Sequence, residues 1–69
     1  MKIDTIIAIK KIDSIIDKYR DSIEWLEDKH PNRNDLISSL EDSIFRLRIV
    51  RKDMIILYTK IEALEWMQS

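Results

Sequence analysis

The sequence predicts an all-α fold: a long antiparallel helical hairpin that pairs into a four-helix bundle or a higher oligomer. Three observations carry that expectation. The 69 residues include no glycine and one proline, Pro31, near the middle of the chain. Apolar residues recur at helical spacing on both sides of it. Hydrophobic residues make up 45% of the chain, which is more apolar surface than two helices can hide between them.

The first element is a helix over about residues 4–29, with Asp4 placed to cap it. Ile9, Ile12, Ile16, Tyr19, Ile23 and Leu26 alternate steps of three and four, the spacing of a coiled-coil seam. Ala8 and Ile15 widen that seam on one flank. Proline has no backbone donor and drives the preceding residue out of the α region, so the chain turns over residues 30–34.

The second helix is expected over about residues 35–67, capped by Asn32 or Asn34, with Asp35 favourable against the helix dipole. Its seam reads Leu36, Leu40, Ser43, Leu47, Val50, Met54, Leu57, Ile61 and Leu64, with Ile37, Ile44 and Tyr58 as a stripe beside it. A break near Lys52-Asp53 would give three helices instead. That reversal would have neither glycine nor proline, and the heptads run through it unbroken. The whole chain, residues 1–69, then forms one helical-hairpin domain. About the Pro31 turn, residue i lies opposite roughly residue 63 − i. Isoleucine-rich seams favour assemblies of more than two helices, so the chain is expected to be a dimer or a higher even oligomer.

Composition removes several classes of function. Without cysteine there are no disulfides or thiolate metal sites, and the chain suits a reducing compartment. Its longest apolar runs, such as Met54-Ile55-Ile56-Leu57-Tyr58, fall far short of the roughly 20 residues a bilayer span needs. Fourteen isoleucines against one valine suit an AT-rich genome. The expectation is a cytoplasmic protein of bacterial or phage type, with no membrane partner. Without glycine, Walker loops and dinucleotide fingerprints are excluded.

One Glu-x-x-His motif reads as a surface turn histidine, and two Glu-x-x-Glu pairs read as solvated helix faces. Glu27-Asp28-Lys29-His30 spells the Glu-x-x-His of di-iron bundles, which also need inward glutamates from the other helices. The nearest, Glu41, lies off the seam, and His30 abuts the proline. Glu24-x-x-Glu27 and Glu62-x-x-Glu65 resemble the paired acids of all-α nucleoside-triphosphate pyrophosphohydrolases. They sit near opposite ends of the hairpin, however, and a Glu-x-x-Asp partner is missing. Ile37-Ser38-Ser39-Leu40-Glu41-Asp42-Ser43-Ile44 matches the Spo0E-type phosphatase segment only at Leu40, Glu41 and Ile44, which carries no function over. No catalytic residue, metal site or cofactor is expected.

Two surface features remain. Trp25, Phe45, Ile49, Ile56 and Trp66 fall outside the seams, where water is the usual neighbour, and are the candidates for binding a partner protein. Lys10, Lys11, Arg48, Arg51 and Lys52 come to one height of the hairpin as a basic belt, the candidate site for phosphate of a nucleic acid or nucleotide. Opposing that belt to the nine acids and four bases of residues 13–42 predicts paired hairpins running in opposite directions. The sequence therefore points to a non-enzymatic homo-oligomeric protein that binds and modulates another protein, as a regulator, inhibitor or adaptor. A nucleic-acid or nucleotide binder is the alternative.

Overall fold

The computed structural model describes residues 2–68 and shows the expected hairpin. Helix α1 spans Lys2–Lys29 and α2 spans Asn34–Gln68. Laid side by side, they make a rod of 57 × 15 × 11 Å. Its radius of gyration, 16.4 Å, exceeds the roughly 11 Å of a compact chain of this length.

The reversal needs no glycine because none of its residues leaves the right-handed side of conformational space. Among the described residues there is no positive φ and no cis peptide bond. The His30 N–H still donates to the Leu26 carbonyl at 2.7 Å, and the Arg33 N–H donates to the His30 carbonyl at 3.0 Å. That second bond closes a four-residue turn with Pro31 in its second position, where the fixed φ of proline fits a type I turn.

Helix α2 starts differently from the sequence expectation. The first helical bond runs from the Ile37 N–H to the Arg33 carbonyl, 3.1 Å, so Arg33 occupies the cap position that Asn32 or Asn34 was expected to fill. Its guanidinium grips Asp35 through Nε and Nη2, both at 3.2 Å. That hydrogen bond, followed by one from the Leu36 backbone, holds the Asp35 carboxyl below its ordinary range. The described part of α1 likewise begins ahead of Asp4, which lies inside its first turn.

The α1 seam is as expected, with Ile9, Ile12, Tyr19 and Ile23 half-buried and Ile16 and Leu26 buried. The α2 seam is rotated. Ile37, Leu40, Ile44, Leu47, Arg51, Met54, Tyr58 and Ile61 face α1, with Ile44 only 7% exposed. The other half of the expected seam turns outward: Leu36, Val50, Leu57 and Leu64 are all exposed. Both rows share Leu40, Leu47, Met54 and Ile61, so the rotation is a small step to one side. Arg51 fits an inward row because its aliphatic stem can lie along apolar neighbours while its head pairs with Asp13.

Candidate functional site

Three surfaces are left around the seam, and the ion pair between helices fixes which residues share each. Arg51 donates from Nε to Asp13 Oδ1 at 2.6 Å, with Nη2 at 3.5 Å from Oδ2. On this side a groove of about 790 Å³ is lined by Asp13, Ile16, Asp17, Arg20, Arg48, Arg51, Lys52, Ile55 and Ile56. Four bases and two acids make it the charged flank.

Helical spacing places the other residues. At about 100° per residue, Ala8, Ile15 and Ser22 lie across the α1 seam from Asp13, Asp17 and Arg20. Ser43, Val50, Leu57 and Leu64 lie across the α2 seam from Arg48, Lys52 and Ile55. The second flank is therefore apolar and small. Its two serines are satisfied within their own helices: Ser22 Oγ donates to the Lys18 carbonyl and Ser43 Oγ to the Ser39 carbonyl, each at 3.0 Å.

The third surface is the back of α2, turned away from α1. Phe45, Ile49 and Ile56 lie within about 40° of one another there, with Ile56 at the border where it also lines the groove. They are 63%, 47% and 45% exposed. Lys52 falls between them, seven residues after Phe45 and four before Ile56. From Ile44 to Tyr58, α2 carries apolar residues on its inner row, its second flank and its back, interrupted by Arg46, Arg48, Arg51, Lys52 and Asp53.

The five expected partner-binding residues thus divide. Phe45, Ile49 and Ile56 share one stripe. Trp66 lies beyond them at the open end, where it is 83% exposed. Trp25 belongs to the other helix, where it sits among Asp21, Glu24, Glu27 and Asp28. Its ring meets His30 at 5.1 Å between centroids, so it also covers the turn.

The belt divides as well. Arg48 and Lys52 line the groove, Arg51 is engaged by Asp13, and Lys10 lies on the same flank by its spacing from Asp13 and Asp17. Lys11 falls across the α1 seam from them, at the edge of the flank that carries Ile15 and Ser22. Arg20, which the sequence reading left out, joins the groove. Its signal was its seven-residue spacing from Asp13, the residue opposite Arg51.

Among the described residues, no group of three His, Asp or Glu side chains could hold a metal ion. No helix formed by them is long and apolar enough to cross a membrane. No protein-family model, curated protein or solved structure matches the chain. The functional reading therefore rests on these surfaces.

Proposed function

We propose that this chain is a non-enzymatic helical interaction protein whose hairpins associate with one another and bind and modulate a partner protein. Small cytoplasmic regulators, inhibitors and adaptors work in this way. The observation that supports the reading is the stripe of Phe45, Ile49 and Ile56 on the back of α2. Phe45 and Ile49 stand at i and i+4 of the helical repeat by which helices enter apolar grooves, Lys52 takes i+7, and Ile56 continues the stripe at i+11. Lys52 in the middle of the stripe would select a partner with an acidic group at that point.

Capture from a lysate of the source organism tests it, with the unmodified chain and an Ile49→Glu/Ile56→Glu variant as baits. One protein should be held by the unmodified chain and lost by the variant, whose helical circular dichroism is unchanged. Equal retention by both baits would refute the stripe as the docking surface.

A second reading is favoured by one observation: Arg20, Arg48 and Lys52 gather along one groove, with Lys10 on the same flank. In this reading the groove holds phosphate of a nucleic acid or nucleotide. Retention on RNA or DNA at low salt, falling steeply as salt rises and abolished by Arg48→Glu with Lys52→Glu, would establish it. Absence of retention at about 50 mM salt would leave small nucleotides, tested by thermal shift.

A further inference from the structure

We infer that the apolar flank is covered by a second copy of this chain lying in the same direction, with α1 of each hairpin over α2 of the other. The inference rests on the self-association proposed above and adds its face and direction.

Area argues for a second copy. A compact monomer of 8.3 kDa exposes about 4,600 Å² by the scaling of surface with mass. The hairpin exposes 5689 Å². The excess, about 1,100 Å², is comparable to the roughly 800 Å² that each partner gives to a standard stable interface.

Chemistry selects the flank. Drying the charged side would strip water from Asp17, Arg20, Arg48 and Lys52, a large cost for groups without matched partners. The back of α2 is shorter and carries Lys52. On the apolar flank, Val50, Leu57 and Leu64 are 47%, 52% and 56% exposed. The hydroxyls of Ser22 and Ser43 already have acceptors, so covering them leaves no donor unsatisfied.

Register selects the direction. Side by side with their turns together, two copies bring residues at similar distances from the turn into the same layer, here within two residues of the 63 − i correspondence, or about 3 Å along the rod. Ala8 then meets Leu57 of the second copy, Ile15 meets Val50, and Ser22 meets Ser43. Ala8 leaves room for Leu57, Ile15 and Val50 are both β-branched, and the two serines coincide in one polar layer. At the edge, Lys11 lies over Asp53 of the second copy, while Lys18 meets an Arg46 already paired with Asp42 at 3.0 Å. The opposite direction stacks α1 on α1 and sets Lys11 and Lys18 of the two copies against each other. The charge pattern that suggested opposite directions needs Arg48 and Lys52 in the interface, and both lie on the other flank.

The natural absence of cysteine makes disulfide trapping clean. Ile15→Cys and Val50→Cys chains are prepared separately, then mixed, unfolded, refolded and oxidised; Ala8→Cys with Leu57→Cys is the second pair. Helicity is checked by circular dichroism, and the unmodified chain is weighed by light scattering. Each mixture should give a covalent species of twice the 8.3 kDa chain mass, and neither member of a pair should do so alone. Self-linking of Val50→Cys would overturn the direction, placing Val50 of both copies on the symmetry axis. Unlinked mixtures of folded chains, with an unmodified chain that is still oligomeric, would overturn the face while leaving the self-association standing. A monomeric unmodified chain would overturn both.

Discussion

Alanine at position 44 and alanine at position 45 should have opposite consequences, although the two residues are neighbours on one helix. Ile44 is 7% exposed against α1, whereas Phe45 is 63% exposed on the back of α2. Truncating a buried isoleucine costs about 2–5 kcal/mol, and less where the site can collapse. A rod one helix thick collapses readily, so Ile44→Ala should cost about 2–3 kcal/mol. Total stability for this length is only about 3–10 kcal/mol. With an unfolding entropy of about 2.1 cal/mol/K per residue, each kcal/mol moves Tm by roughly 7 °C. Thermal melts followed by circular dichroism should therefore place Ile44→Ala about 14–20 °C below the unmodified chain. Phe45→Ala should stay within about 4 °C, as exposed substitutions cost only about 0.5 kcal/mol. Equal losses, or a larger loss for Phe45→Ala, would mean that α2 is rotated from the arrangement described, and the assignment of all three surfaces would fall with it.

Replacing the Arg51–Asp13 pair by Arg51→Leu with Asp13→Ala should leave stability unchanged or raise it in urea melts. A half-exposed ion pair is worth only about 0–1 kcal/mol, and leucine extends the apolar row. Asn32→Gly should destabilise the hairpin by about 0.4–1 kcal/mol, because the turn uses no positive φ and glycine only widens the unfolded ensemble. The Asp35 carboxyl is held below its ordinary range by Arg33 and by the Leu36 N–H. The stability it contributes is complete above the pKa of the unfolded chain and is lost as pH falls through the lower folded value. Protection of the first-turn amides of α2, taken relative to the intrinsic exchange rate at each pH, should accordingly fall on acidification, and Asp35→Asn should remove that dependence.

The hairpin, its hinge and the α1 seam were legible because proline and heptad spacing act locally. The rotation of α2 was not. Its apolar surface is so wide that two seven-residue rows compete. Counting apolar residues favours the row of Leu36, Val50, Leu57 and Leu64, with serine at position 43. The row that wins holds Arg51, which scores as polar in a sequence but can bury its stem and pair with Asp13 across the seam. The cap at Arg33 was hidden for a related reason, because its side chain acts on Asp35 while its backbone supplies the capping carbonyl. The candidate surfaces were named residue by residue. Their division among three faces required knowing which way α2 is turned.

Because the two helices meet only side by side, the length of chain enclosed by a contact grows steadily away from Pro31. Pairing next to the turn closes loops of about ten residues, and pairing at the open end closes loops of roughly fifty, at a greater entropic cost. The buried residues Ile16, Leu26 and Ile44 all lie in the half of the rod nearer the turn, whereas Ile3, Leu64, Trp66 and Met67 at the far end are each more than half exposed. Such a hairpin should close from the proline outward and reopen first at the end of the rod away from it. That end is the region whose order a bound molecule can change most.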